Sequence, residues 1–158
     1  MGTKKLMRYT IITVLVLAFG AYIAGCAHFP GMQGPTIKAE PAAAVMAPPA
    51  LAAVKITGSG FKAGDRVEIV LAKADKGQDV PIAFGEANAE GVFETKMDML
   101  SILQGIFHFQ FQGGKPVPNP NNPPLKPGAY VMQGSSWDSK LSATCNFEIQ
   151  APPPPKKP

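Results

Sequence analysis

Few side chains in this sequence can do chemistry, and their spacing decides among them. There are two cysteines, Cys26 and Cys145, and two histidines, His28 and His108. A zinc site or a nucleophile–base pair needs ligands or acids gathered at short spacing. The histidines lie 80 positions apart and neither belongs to such a cluster. Asp75 and Asp79 flank Gly77 without the spacing of a calcium loop. Ser59, Ser135 and Ser136 have no evident His–Asp pair, and no phosphate-cradling glycine loop precedes a helix. No catalytic residue, metal or cofactor is therefore expected, and the chain is read as a non-enzyme. Two features remain. Cys26 stands directly behind the small residues Ala24 and Gly25. Trp137, the only tryptophan, sits at the tip of a Gly-Ser-Ser-Trp-Asp-Ser-Lys turn. Asn119, Asn121 and Asn122 lie in a long Pro/Asn/Gly-rich loop over residues 113–125. Long loops on a rigid scaffold often carry binding, and tryptophan is a frequent recognition anchor. These four residues form the candidate binding set.

The elements around Cys26 have a clear order. Residues 1–10 carry Lys4, Lys5 and Arg8 and no acid, and residues 11–23 form an apolar run of about 13 residues. A basic start, a short apolar run and small residues at a cleavage point make a secretory signal peptide. A membrane-spanning helix needs about 20 apolar residues. His28-Phe29-Pro30-Gly31 ends the pattern, since Pro and Gly stop any continuing helix. N-myristoylation would want Ser or Thr at position 6, where this chain has Leu6.

Ile23-Ala24-Gly25-Cys26 resembles the lipobox of bacterial lipoproteins. The resemblance implies cleavage between Gly25 and Cys26, a diacylglyceryl thioether on the Cys26 sulfur and an N-acyl (palmitate-type) chain on its amine. Each buried CH₂ adds about 0.8 kcal/mol, so several chains on one residue give firm anchorage. The expected location is the bacterial cell envelope. Ala27, which is not Asp, favours the outer membrane over the inner one. With Cys26 acylated, Cys145 has no partner in the chain and is expected in the core as a small apolar residue.

Composition narrows the partners. Of 15 basic residues three precede Cys26, leaving 12 against 11 acids, and residues 54–149 hold nine bases and ten acids. A nearly neutral domain without a basic stripe is no nucleic-acid binder. Residues 26–53, with five prolines and runs of alanine, read as an extended tether of roughly 3 Å per residue. From Val54 the pattern turns to period two. Val67, Ile69 and Leu71 oppose Arg66 and Glu68, and Leu141, Ala143, Cys145, Phe147 and Ile149 form the cleanest alternation. Phe107, Phe109 and Phe111 read as a strand with three rings facing the core, and Ile82 with Phe84 as one face of another, with a bulge near Phe84-Gly85. About seven short strands in residues 54–150 and no convincing helix give an all-β fold, a single antiparallel β-sandwich, ended by a Pro-rich tail over 151–158.

Ile56-Thr57-Gly58-Ser59-Gly60-Phe61-Lys62-Ala63-Gly64-Asp65-Arg66-Val67 resembles the opening of bacterial Ig-like surface modules. Gly85 to Phe93 is similar to their central hairpin, and Pro127-Gly128-Ala129-Tyr130 to their entry into a late strand. The resemblance implies an Ig-like sandwich with Tyr130 as a tyrosine corner, and leaves function open among adhesin, spacer and binding roles. The functional expectation is a membrane-anchored envelope lipoprotein displaying this domain to a protein partner. The alternatives are a purely structural spacer, or an envelope enzyme or enzyme inhibitor.

Overall fold

The alternation read from the sequence builds two facing sheets. In the computed structural model, which describes residues 34–154, ten strands run in the order β1 (Thr36–Glu40), β2 (Ala43–Val45), β3 (Lys55–Ser59), β4 (Arg66–Asp75), β5 (Gln78–Glu86), β6 (Phe93–Lys96), β7 (Phe109–Gln112), β8 (Lys115–Pro118), β9 (Gly128–Ser136) and β10 (Ser142–Gln150). One sheet is β1-β3-β6 and the other β2-β10-β9-β4-β5, while β7 and β8 pair only with each other. All pairs are antiparallel except β2 with β10. This is an all-β sandwich in which β1 joins one sheet and β2 the other. Val67, Ile69 and Leu71 of β4, Met132 of β9, and Phe147 and Ile149 of β10 face inward and are fully buried or nearly so. Burial of such side chains, at roughly 25 cal/mol per Å² of apolar surface, is the main force holding the sheets together. None of the described helices is long and apolar enough to cross a membrane.

The tether expected over 26–53 is corrected for its second half. Thr36–Glu40 alternates exposed and buried residues, puts Ile37 and Ala39 into the core, and pairs with β3 from Thr36↔Ser59 to Glu40↔Lys55. The chain then changes sheets at the cis Glu40–Pro41 peptide, and Ala43–Val45 runs parallel to the end of β10. Pro48 and Pro49 do not break a helix; they begin one. They occupy the first turn of α1 (Pro48–Ala52), where a missing N–H goes unnoticed. Leu51 of that turn is completely buried. Residues 27–33 lie outside the described part.

Two more expectations change. The bulge falls at Ile82, because Ile69 pairs with Ala83 and Val70 with Pro81. Ile82 and Ala83 both turn inward, and Phe84 is thrown outward. The phenylalanine strand is not a core strand. Met99–Ser101 (α2), capped by the Asp98 carboxylate accepting from the Ser101 amide, runs into a π-helical turn at Ile102–Ile106. Those turns bury Ile102 and Ile106, and Phe107 merely closes them. Phe109 begins the β7–β8 hairpin, and Phe111 is exposed.

At the β3–β4 end the packing centres on Phe93. The Phe93 ring packs against Phe61 in a tilted arrangement with centroids 5.5 Å apart. It fills the space where side chains of Gly58 and Gly85 would stand, since a Cβ there would come within 2.1 and 2.6 Å of it. Gly91 has φ +73° and lies against the Phe61 carbonyl, so both its dihedral and its neighbour require glycine. Overpacking a filled core costs about 1–3 kcal/mol. Gly58→Ala should lower unfolding stability by about that amount in urea titration, with m unchanged; an unchanged midpoint would mean that the Phe93 ring has room to move.

Candidate functional site

The expected binding set is split between opposite ends of the sandwich. Trp137 follows β9 at the end formed by the β3–β4 loop, and its amide donates to the Arg66 carbonyl at 3.1 Å, extending the β4–β9 ladder by one bond. Asn119, Asn121 and Asn122 lie at the other end, beside the β4–β5 hairpin. They fold their own loop. Asn119 Oδ1 accepts from the Asn121 amide at 3.0 Å, and Asn122 Oδ1 accepts from Lys76 Nζ at 3.0 Å. His108 locks the same insertion in place. It is buried, has φ 51°, and directs Nδ1 to the Pro123 carbonyl at 2.6 Å and Nε2 to Asp75 at 3.3 Å. Left-handed backbone is uncommon for His, and both ring nitrogens here are held by acceptors. Asn119, Asn122 and His108 thus help to hold the loop in place, and the Asn121 side chain is exposed. Gly25 and Cys26 lie outside the described residues.

Around Trp137 the outer face of the larger sheet forms a groove of about 320 Å³ lined by Arg66, Glu68, Phe84, Gly85, Glu86 and Trp137. Cross-strand pairing explains the set: Glu68 pairs with Phe84 across β4–β5, and Arg66 with Glu86. Phe84 is 54% exposed and Trp137 48% exposed, which is unusual for rings of this size. They meet edge to face with centroids 6.0 Å apart, a favoured aromatic geometry. Trp137 Nε1 donates to Glu68 Oε2 at 3.2 Å. The Arg66 guanidinium sits 5.5 Å from the Trp137 ring centroid and also bonds Asp138 through Nε and Nη2, at 3.3 and 3.2 Å. That hydrogen-bonded guanidinium holds the Asp138 carboxyl below the usual carboxylate range.

The turn bearing Trp137 is fixed from below. Ser136 Oγ accepts from the amides of Asp138 and Ser139 at 3.2 and 3.1 Å. The buried Asp65 carboxylate accepts from Ser139 Oγ at 2.5 Å and from the Lys62 amide at 3.0 Å, joining the β3–β4 loop to the Trp137 turn. Lys140 Nζ donates to the Trp137 carbonyl at 2.7 Å. The groove is therefore held in shape by its own polar network.

Trp137 was the only groove residue marked by the sequence as a candidate. Arg66 and Glu68 were legible as an outward face, but not as its neighbours. Phe84 was hidden by the bulge. Cys145 has the expected inward parity but is half-buried; burial pushes its thiol pKa up, and it is unpaired among the described residues. Tyr130 is the expected corner: its hydroxyl donates to the Lys126 carbonyl four residues upstream. Among the described residues no group of three or more His, Cys, Asp or Glu is placed to hold a metal.

No protein-family model matches the chain, and no curated protein matches it. Among solved structures, it is similar to a tetra-tandem repeat in the extending region of a large adhesion protein, at 15% identity and a TM-score of 0.43. The match covers 74% of this chain and 24% of that one.

Burial pushes the Asp65 carboxyl up, but hydrogen bonds from Ser139, Lys62 and Ser136 outweigh it and hold its pKa below the ordinary value of 3.8. A carboxyl lowered by folding contributes stability above its unfolded pKa, and that contribution is lost as pH falls through the folded value. Wild-type unfolding stability should fall on acidification below about pH 4. Asp65→Asn should be less stable at pH 7 and show a flatter acid limb; identical acid limbs would contradict this role.

Proposed function

We propose that this chain is an exported bacterial lipoprotein, anchored through acylated Cys26, which presents its Ig-like sandwich as a non-catalytic protein-binding module of the cell envelope. The observation that carries the binding reading is the groove, where two large aromatic rings are left in solvent, packed edge to face, with the indole held by its hydrogen bond to Glu68. Contiguous exposed apolar surface rimmed by polar groups marks an interaction site, and rigid aromatic anchors supply most of the energy at such sites. The anchoring reading rests on the basic start, the apolar run and Ile23-Ala24-Gly25-Cys26. Ala27 supports outer-membrane sorting.

The corrected start of the domain shortens the tether in this reading. Only nine residues separate Cys26 from Thr36, a reach of about 30 Å at most. β1 enters at the groove end, because Thr36 pairs with Ser59 beside the β3–β4 loop.

Two measurements test the two halves of the proposal. Intact-mass analysis of the membrane-extracted protein should give a chain starting at acylated Cys26, and Cys26→Ser should release it or leave it unprocessed. A mature chain retaining Met1 would contradict the anchor. A photo-crosslinking residue at position 84, introduced in cells, should give one discrete adduct that the same residue at exposed Glu148 does not. Equal labelling from both positions would contradict the binding surface.

A further inference from the structure

Resting on the protein-binding reading of the groove, the geometry points to its occupant: an extended segment of a partner protein that carries proline beside lysine or arginine.

The charge balance sets the sign. The only cation lining the groove, Arg66, is engaged by Asp138 and lies over Trp137. Glu68 is fixed by the Trp137 indole, which uses Oε2. Among the described residues no cation stands within ion-pair distance of Glu68 or Glu86. Phe84 pairs with Glu68 and is two residues from Glu86 on the same strand, so an exposed ring lies between two carboxylates, and Arg66, the cross-strand partner of Glu86, is already ion-paired to Asp138. An arriving cation completes this arrangement, whereas a phosphate or an acidic peptide is repelled. The aromatic rings add a cation–π attraction to that of the carboxylates.

The rings set the shape. The edge-to-face pair of Phe84 and Trp137 leaves an apolar cleft open to solvent. Aromatic-lined clefts take proline segments well, because the polyproline helix is already extended and loses little entropy on docking. A basic residue one turn along then reaches Glu68 or Glu86.

The chain's own Pro-rich segment does not fill the groove of the same molecule. It leaves β10 at Gln150, beside the Gly128 end of β9. Trp137 lies nine residues beyond Gly128, roughly 30 Å along the sheet. Residues 151–158 span only about 25 Å as polyproline helix, so they end short of the far edge. The occupant proposed is a segment of a different protein, and the tail of a second copy is an outcome that the test separates from it.

Trp137 is the sole tryptophan, so its fluorescence reports the groove directly. The full mature chain is titrated with the peptide acetyl-Pro-Pro-Lys-Pro-Pro-Lys-amide. A saturable shift is expected, weakened about tenfold or more by Phe84→Ala, by Glu86→Gln and by the Glu-for-Lys peptide, and reduced in 1 M salt. No shift, or equal affinity for the acidic peptide, would overturn the proposal. A shift that instead appears on concentrating the chain alone, and vanishes when residues 151–158 are removed, would name a second copy as occupant and also overturn it. If position 84 crosslinks in cells while this peptide is ignored, the partner chemistry is wrong and the binding surface stands.

Discussion

The packing of Phe93 is the constraint on which the rest of this sandwich depends. Its ring occupies the gap between β3 and β5, two strands of opposite sheets, and that gap exists because Gly58 and Gly85 have no side chains. The ring thus fixes how far apart the sheets lie at this end. Phe61 closes the same pocket from the β3–β4 loop. The loop is tied in turn to the β5–β6 connection by the Gly64 amide to the Ala87 carbonyl at 2.8 Å, and by the Ala87 amide to the Asp65 carbonyl at 2.9 Å. Asp65 then holds the Trp137 turn. A continuous set of contacts therefore runs from the core ring to the outer groove. Gly85 is common to both, with the Phe93 ring on its inner side and Phe84 and Glu86 as its neighbours.

This arrangement explains why an exposed aromatic pair can be rigid. Phe84 stands on a strand whose position is dictated from inside. Trp137 stands on a turn clamped by Ser136, Asp65 and Lys140. Neither ring needs to be ordered when something binds, so less conformational entropy is lost on association. The opposite end has a different construction. There the insertion is fastened by a few polar bonds around His108 and Asn122, and its hairpin pairs with no other strand. The two ends differ in kind: one is preformed surface, the other a strapped appendage.

How much of this was legible in the sequence follows from the range of the interactions. β4 and β10 were readable because alternation is local and strong, and Tyr130 because its corner bond spans four residues. The entry strands were not. Thr36–Glu40 alternates too, but Pro41, Pro48 and Pro49 read locally as an extended tether, whereas they mark a change of sheet and the first turn of a helix. The Ile82 bulge reversed the expected direction of Phe84, since one extra residue moves every later side chain to the other face. The groove joins residues 66–68, 84–86 and 137, and pairings at such separations leave no trace in local pattern. Trp137 stood out as a lone tryptophan in a turn. Its partners required the register of β4 against both neighbours. Turn-forming residues and recognition residues share the same composition, so local pattern does not tell which of the two Asn119, Asn121 and Asn122 are.

The central claim is that the Trp137–Phe84 groove is preformed in the unbound protein. Nuclear Overhauser contacts of the single indole test this directly in the ligand-free chain. The structure requires contacts from the Trp137 ring protons to the Phe84 ring and from its Nε1 proton to the Glu68 side chain. An indole with averaged shifts and no contact to Phe84 would contradict the account.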